Sequence, residues 1–165
     1  MKSDEITALA RELGEALAAA GRVASVAESC TGGGVAEALT RIPGCSAWFD
    51  RGFVTYSNDA KREVLDVPQA TLDMHGAVSE ETAQAMLRGA LARSGAHLAT
   101  AVTGIAGPDG GSAEKPVGLV WFAWGSRDAK PVTESRRFGG DRDGVRMQAV
   151  AYALRGLLEL IRQPG

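Results

Sequence analysis

Apolar side chains recur at helical spacing between residues 5 and 20, which predicts an amphipathic helix. Its buried face would consist of Ile6, Leu9, Ala10, Leu13, Leu17 and Ala20. Gly21 follows as a glycine helix stop. Residues 23–27 then form a short apolar run that predicts a buried strand, and a polar turn over 28–31 leads into a helix predicted from about Gly32 to Arg41. A strand, a tight turn and a helix make the first half of a βαβ unit.

The remaining chain keeps alternating between strand and helix patterns. Further strands are expected at residues 53–56, 98–102, 117–124 and 132–138. Helices are expected to start at Asn58, Pro68, Ser79 and Asp141. No linker or internal repeat interrupts this alternation. The sequence therefore predicts one α/β domain over residues 1–165, with three α/β/α layers and a mixed β-sheet that has helices on both faces.

Composition narrows the class of protein. The 165 residues are 45% hydrophobic and 23% charged, with a formal net charge of −2 and no long basic run, which argues against nucleic acid as the main partner. No apolar run reaches the roughly 18 residues of a membrane span, and no signal-peptide pattern opens the chain. Cys30 and Cys45 lack metal-ligand spacing and are expected to be reduced thiols. We therefore expect a cytoplasmic protein with no membrane partner and no bound metal.

Two loops carry the candidate chemistry, and each follows a predicted strand. Ser29 lies between a strand end and a glycine-rich helix start, where free backbone N–H groups suit a phosphate or an oxyanion. The second loop, residues 103–111, contains four glycines and a proline, and Thr103 and Lys115 bracket it. It matches neither a Walker loop nor a dinucleotide fingerprint. Because ligands bind outside the carboxyl ends of the strands in open α/β sheets, the two loops are expected to meet over one crevice.

The residues alone leave several assignments open. Ser29 and Thr31 can simply cap the helix that follows them. Cys30 is a rival nucleophile if the helix start lowers its thiol pKa, and otherwise a small buried apolar residue. Lys61 lies five positions after Tyr56. It is either an exposed helix lysine or a general base whose pKa is lowered by burial.

Four motifs in the chain resemble those of the CinA C-terminal domain family, and the resemblance covers about residues 5–160. The motifs are Ala27-Glu28-Ser29-Cys30-Thr31-Gly32-Gly33, Thr55-Tyr56-Ser57-Asn58 with Lys61, His75-Gly76-Ala77-Val78-Ser79, and Thr103-Gly104-Ile105-Ala106-Gly107-Pro108 with Lys115-Pro116-Val117-Gly118. Each motif alone is a weak signal, whereas four in the right order are highly specific. The resemblance implies a stand-alone amidohydrolase that converts nicotinamide mononucleotide (NMN) to nicotinic acid mononucleotide and ammonia in pyridine nucleotide salvage. It implies no metal or organic cofactor.

The resemblance also implies roles for individual positions. Ser29 matches the family's nucleophile, and Lys61 and Tyr56 match the polar pair that would activate it. Thr103 matches a residue of the opposite wall of the pocket. The residues expected to contact the substrate are Cys30, Thr31, Gly32, Gly33, Arg51, Asn58, Gly104, Gly107, Gly110, Gly111 and Lys115. Lys115 and the glycine loop are the candidates for binding the substrate phosphate.

Two positions depart from the family pattern. Arg51 stands where the family usually has the first glycine of a pair, and Cys45 stands where it commonly has serine. We expect Arg51 at the edge of the pocket, where it alters that edge or adds a phosphate contact. The resemblance suggests a homodimer, with Trp48 and Phe49 as candidates for its interface. Two other functions stay open: an amidohydrolase for another small amide, and a non-catalytic nucleotide-binding accessory or regulatory module linked to competence or DNA damage.

Overall fold

Helices and strands alternate along the computed structural model, which describes residues 2–164. The helices within this range are α1 (Ser3–Ala20), α2 (Gly34–Thr40), α3 (Asn58–Leu65), α4 (Gln69–His75), α5 (Glu80–Ala92) and α6 (Arg142–Arg162). The strands are β1 (Ala24–Glu28), β2 (Phe49–Val54), β3 (Leu98–Gly104), β4 (Leu119–Ser126) and β5 (Val132–Arg137). A 3-10 turn, Cys45–Ala47, precedes β2.

The strands form one five-stranded mixed sheet in the order β2-β1-β3-β4-β5. β1 runs parallel to both β2 and β3, whereas β4 is antiparallel to β3 and β5. Glu28, the last residue of β1, pairs with Val54 on one side and with Val102 on the other. The carboxyl ends of three neighbouring strands therefore meet at one edge of the sheet, where ligands bind in open α/β sheets.

Helices cover both faces of the sheet, because successive strand side chains point to opposite faces. Val26 points to one face and joins the core formed with α1, α2 and α6. Ala27 points to the other face and joins the core formed with α5 and the end of α3. The predicted fold class, a three-layer α/β/α domain with a mixed sheet, is confirmed.

The Trp48 side chain belongs to the core on the α1 side. It is 4% exposed and packs so closely over Gly14 that a Cβ atom there would lie 2.4 Å from the ring. The prediction that Trp48 lies at a dimer interface is wrong, because the ring fills the core of its own chain. Phe49 is partly buried against the same core.

Several predicted helix boundaries agree with the structure. Gly21 ends α1 in the left-handed conformation, with φ 64°. The side chains of Ser79 and Asp141 accept hydrogen bonds from backbone N–H groups in the first turns of α5 and α6. None of the helices within residues 2–164 combines the length and the apolar character that crossing a membrane requires.

Three predicted boundaries were wrong near the sheet edge that carries the chemistry. β2 begins at Phe49 and ends at Val54, because pairing with β1 brings polar residues into this edge strand. Ser57, and not Asn58, caps α3, since its hydroxyl accepts from the Ala60 N–H at 3.0 Å. Helix α2 starts two residues after Gly32, because Gly32 and Gly33 have φ angles of 58° and 101° that no helix accommodates.

Candidate active site

A cleft of about 240 Å³ opens at the carboxyl ends of β1, β2 and β3. The two loops selected from the sequence do meet there, as do the turn after β2 and the start of α6. The predicted residues that line the cleft are Ser29, Cys30, Tyr56, Lys61, Thr103, Gly104, Gly107, Gly110 and Gly111. Pockets that enclose small ligands usually measure about 300–1,000 Å³. A ligand as large as a nucleotide would therefore extend beyond this cleft.

Ser29 and Lys61 are in direct contact. The Lys61 Nζ lies 2.9 Å from the Ser29 Oγ, and it also donates to the carbonyl oxygens of Thr55 at 3.0 Å and Tyr56 at 2.9 Å. These carbonyls belong to the turn between β2 and α3, and the first turn of α3 carries Lys61 back toward them. The Ser29 Oγ has the Tyr56 carbonyl as a further, longer partner at 3.4 Å. The arrangement joins a hydroxyl to an amine that can take its proton.

Burial changes the acid–base chemistry of Lys61. The side chain is 1% exposed, and its surroundings contain neutral carbonyl and hydroxyl oxygens and no salt-bridge partner among residues 2–164. Burial disfavours the ammonium form and lowers the pKa of Lys61 from its usual 10.5 to about 8. At pH 7 about a tenth of groups with this pKa are uncharged amines, the form that a general base requires.

Cys30 does not have the properties of a reactive thiol. Its side chain is buried, and burial raises the pKa of the thiol to about 12. A thiol of this kind is almost entirely protonated at neutral pH and is a poor nucleophile. Between the two side chains that compete for the role of nucleophile, the environment favours Ser29.

The carboxylate of Glu28, which sequence reasoning passed over, fixes the start of α2. The side chain is fully buried. One oxygen accepts from the Thr31 hydroxyl at 2.6 Å and the Val35 N–H at 2.8 Å, and the other accepts from the Ala36 N–H at 3.0 Å. Glu28 therefore caps the helix, a role that the sequence offered to Ser29 and Thr31. The Ser29 hydroxyl is left to face Lys61.

Capping by Glu28 also changes where an anion can bind. The N–H groups of Val35 and Ala36 are occupied, so the predicted anion site at the helix start is not available. In the turn before the helix, Gly32 N–H donates to the Ser29 carbonyl at 3.0 Å. Among the described residues, the N–H groups of Cys30 and Thr31 have no hydrogen-bond acceptor. Of the two, only Cys30 lines the cleft, so its N–H is the backbone donor next to the Ser29 hydroxyl that an oxyanion can use.

The opposite wall of the cleft consists of Thr103 and the glycine loop. The Thr103 hydroxyl donates to the Ala77 carbonyl at 2.8 Å, which ties the end of β3 to the turn before α5. Gly107, Gly110 and Gly111 all have positive φ angles, so that the loop curls around the cleft mouth. The N–H groups of Gly110 and Gly111 have no acceptor within the described residues and are free to contact a ligand.

Arg142, in the first turn of α6, is a cleft residue that the sequence analysis missed. Its guanidinium donates to the Gly107 carbonyl at 2.7 Å and to the Tyr56 hydroxyl at 3.2 Å. The Arg142 side chain thus links the start of α6 with the glycine loop and with the turn after β2. Tyr56 is 60% exposed, and its phenol contacts Arg142. Lys61 is contacted by the backbone carbonyl of Tyr56 and not by its side chain. The arginine lies 24 residues beyond Gly118, where the nearest of the four motifs ends, and no local pattern marks it.

A second arginine of α6, Arg146, stabilises the turn that carries Ser29. Arg146 donates to the carbonyl oxygens of Cys30 at 3.2 Å and Thr31 at 3.3 Å. A Cβ at Gly32 would lie 3.2 Å from this guanidinium. The turn is therefore fixed both by Glu28 and by Arg146.

Other predicted contact residues lie outside the cleft. Arg51 points away from it, toward Asp50 at 2.8 Å and the Arg93 carbonyl at 3.3 Å near the end of α5. The Lys115 ammonium is held by the carbonyl of His75. Thr31, Gly32, Gly33 and Asn58 are likewise absent from the lining. The structure does not support the substrate contacts predicted for these residues. Within the described range, no three histidine, cysteine or acidic side chains come together as metal ligands do.

The lowered pKa of Lys61 predicts a pH-dependent stability. Between about pH 8 and 10.5, the unfolded chain binds a proton that the folded chain does not. The free energy of unfolding contributed by Lys61 therefore rises with pH in this window, by up to about 1.4 kcal/mol per unit. Urea unfolding of wild type and Lys61→Met from pH 7 to 10 should show wild type gaining stability relative to the variant. A constant difference across this range would contradict the assignment.

The cap formed by Glu28 predicts a second stability effect. Glu28→Gln removes the charge and one acceptor, so the unfolding free energy should fall by about 1–3 kcal/mol. Glu37→Gln is the matched control, because Glu37 lies in α2, the helix that Glu28 caps. It forms an exposed salt bridge with Arg41, worth about 0.3–0.5 kcal/mol. Equal losses in the two variants, measured by urea unfolding, would show that Glu28 is not the cap.

Comparison with known proteins agrees with this geometry. Residues 6–161 match the model of the CinA C-terminal domain. The chain is 56% identical over 157 residues to the nicotinamide-nucleotide amidohydrolase PncC of Pseudomonas putida, covering 95% of this chain and 98% of that protein. It is 51% identical to the protein of the same name from Escherichia coli K12, covering 99% of both chains.

Solved structures show the same fold. The crystal structure of the competence/damage inducible protein CihA from Agrobacterium tumefaciens superposes with a TM-score of 0.92 at 51% identity, covering 96% of each chain. A CinA superfamily protein from Klebsiella pneumoniae superposes with a TM-score of 0.91 at 44% identity, covering 94% of this chain and 97% of the other. Since the matched region includes both the Ser29 turn and the glycine loop, the chain belongs to the CinA C-terminal domain family.

Proposed function

We propose that this protein hydrolyses the carboxamide of NMN to nicotinic acid mononucleotide and ammonia, with Ser29 as nucleophile and without a metal. The observation that carries the proposal is the 2.9 Å contact between the Ser29 hydroxyl and the buried Lys61 amine. The relatives from Pseudomonas putida and Escherichia coli are named nicotinamide-nucleotide amidohydrolases, and these names suggest the substrate. High identity over nearly the whole chain supports transferring that substrate to this protein.

In the first half of the reaction, the Ser29 Oγ attacks the carboxamide carbon while its proton passes to the uncharged Lys61 Nζ. The tetrahedral oxyanion accepts a hydrogen bond from the N–H group of Cys30, the residue next to Ser29 in the cleft lining. The carbon–nitrogen bond then breaks, and Lys61 returns the proton to the departing nitrogen, so that ammonia leaves. Ser29 is now esterified to the nicotinoyl group.

In the second half, water attacks the ester carbonyl while Lys61 accepts one of its protons. The ester bond breaks, the proton returns to the Ser29 oxygen, and the carboxylic acid product is released. The carbonyls of Thr55 and Tyr56 hold Lys61 in place through both halves. Tyr56 therefore assists through its backbone. Thr103 closes the opposite wall, where its hydroxyl is already fixed by the Ala77 carbonyl.

The phosphate of NMN would extend to the open mouth of the cleft. Arg142 provides a cation there, and Gly110 and Gly111 provide free N–H groups. An arginine guanidinium binds phosphate oxygens in a bidentate manner that a point charge does not provide. Arg142 thus takes the role that the sequence analysis gave to Lys115.

An ammonia-release assay with NMN tests the two catalytic assignments. Ser29→Ala should abolish turnover, because no other side chain in the cleft replaces the hydroxyl. Lys61→Ala should lower turnover by about 100-fold or more, the usual scale for a general acid or base. Nicotinic acid mononucleotide should appear in equal amount to ammonia, measured by liquid chromatography.

Three outcomes would contradict these assignments. Full activity of Ser29→Ala would exclude the nucleophile, and a Lys61→Ala rate within about twofold of wild type would exclude the base. If wild type binds NMN by calorimetry but releases no ammonia, the nucleotide-binding accessory function is favoured instead. Release of ammonia only from a different small amide would correct the substrate.

The phosphate contact is tested with Arg142→Ala and two substrates. For NMN, kcat/KM should fall by about tenfold or more, since a charge-assisted contact is lost. For nicotinamide riboside, which lacks the phosphate, the variant and wild type should differ much less. Arg155→Ala is the matched control, because Arg155 is an exposed arginine of the same helix. An equal fall for both substrates would show that Arg142 does not contact the phosphate.

A further inference from the structure

Helix α3, which carries Lys61, rests on α5 at a point where only a glycine fits. A Cβ atom built on Gly89 would lie 2.2 Å from the Leu65 carbonyl oxygen and 2.8 Å from the Leu65 Cβ. The nearest atoms are backbone, so no side-chain rotation relieves the overlap. Gly89 lies inside α5 with no positive φ angle, so the requirement for glycine is one of space between the helices.

Leu65 and Lys61 belong to the same turn of α3. They are four residues apart and are the two buried residues of this eight-residue helix. Beyond the helix end, the Asp66 N–H donates to the Arg62 carbonyl and the Val67 N–H donates to the Lys61 carbonyl, both at 3.1 Å. The backbone that directly follows Leu65 is therefore hydrogen-bonded to the residue that contacts the nucleophile.

The structure assigns to Gly89 the role of a positioning residue: the close approach it permits between α5 and α3 sets the distance between Lys61 and Ser29. This inference rests on the proposed function, because it gives the Lys61–Ser29 contact a catalytic meaning. Gly89 itself touches neither side chain of that pair. It acts through the backbone of Leu65, the last residue of α3, and so through the helix that carries Lys61.

A side chain at position 89 would move α3 and leave α5 in place. Eight residues of α5 are buried against the sheet and its neighbours, whereas α3 has two buried residues and lies near the β2 edge. The larger buried surface holds α5 more firmly. To restore ordinary contact with the Leu65 oxygen, α3 must shift by about 1 Å, and a misplacement of that size in a reacting group can cost about 100-fold in rate.

The shift of α3 would also expose the Lys61 amine to water. Its amine donates to the Thr55 and Tyr56 carbonyls, and the side chain is buried on a helix that packs against α5. Moving α3 outward admits water and reduces the effect of burial, so the pKa of Lys61 should rise from about 8 toward 10.5. A glycine that served stability alone would not alter this value.

Gly156 provides a matched control on the other face of the sheet. It lies in the middle of α6, and a Cβ there would lie 1.9 Å from the Trp124 ring. Trp124 is buried in the core on the α1 side and does not line the cleft. Gly156→Ala therefore introduces a comparable steric overlap that is remote from Lys61.

The experiment compares Gly89→Ala and Gly156→Ala with wild type. Both variants should be less stable to urea. Gly89→Ala should lower kcat for NMN by about tenfold or more with little change in KM, and should raise the apparent pKa of the kcat/KM profile by about one unit. Gly156→Ala, assayed below its unfolding midpoint, should keep the kcat and the pH profile of wild type.

A measurement without substrate separates this inference from the proposed function. Carbon-13 NMR of labelled lysine, with the Lys61 signal identified from Lys61→Met, follows the titration of Lys61 directly. The signal should titrate at higher pH in Gly89→Ala than in wild type. If wild type proves inactive on NMN, this titration still decides whether Gly89 sets the environment of Lys61.

Two results would overturn the inference. In the first, Gly89→Ala folds and has the same kcat and the same Lys61 pKa as wild type. In the second, Gly156→Ala shows the same changes in kcat and pH profile as Gly89→Ala. If Gly89→Ala does not fold, Leu65→Val replaces it, with Leu154→Val as the control from the opposite core. Leu65→Val loosens the contact between α3 and α5, so it should again lower kcat and raise the pH at which Lys61 titrates. Equal changes in Leu65→Val and Leu154→Val would show that the contact with Gly89 does not position Lys61.

Discussion

The long cationic side chain of Lys61 is withdrawn from water and ends among neutral oxygen atoms. This is unfavourable for a charged amine, and three hydrogen-bond acceptors reduce the cost without removing it. Each acceptor comes from a segment that follows a parallel strand: Ser29 follows β1, while Thr55 and Tyr56 follow β2. The amine can occupy this place only because the register of the two strands brings both segments to the same edge. The sheet topology and the acid–base property of Lys61 are therefore linked.

The turn that carries Ser29 is held from both faces of the sheet. Glu28 points to the α2 side and takes up the N–H groups at the start of that helix, while Ser29, the next residue, points to the α3 side and meets Lys61. Alternation along the strand thus separates a structural carboxylate from a reactive hydroxyl by one position. Arg146 adds a third support through the carbonyls of the turn. The hydroxyl is consequently freed from capping and available for chemistry.

Much of the fold could be predicted from periodicity and caps, since Gly21, Ser79 and Asp141 are local signals that tertiary packing did not override. The edge strand β2 was harder, because its polar residues are favoured there only through pairing with β1. Arg142 and Glu28 could not be identified from spacing. Arg142 reaches the cleft through the packing of α6, and Glu28 could be distinguished from an ordinary surface acid only once its burial was known. Arg51 was predicted at the edge of the cleft, but its side chain binds Asp50 and the carbonyl at the end of α5. The sequence pattern does not reveal the second of these partners.

The guanidinium of Arg142 has two partners at the mouth of the cleft, and both are uncharged: the carbonyl of Gly107 and the phenol of Tyr56. An anion that arrives at the mouth would exchange these neutral partners for a charged one, which binds a guanidinium more strongly. The same exchange would release the glycine loop and the tyrosine ring from each other. Binding of an anion to Arg142 would thus increase the mobility of the glycine loop and of the Tyr56 side chain. The mouth of the cleft would therefore respond to the charge of the ligand through a single arginine.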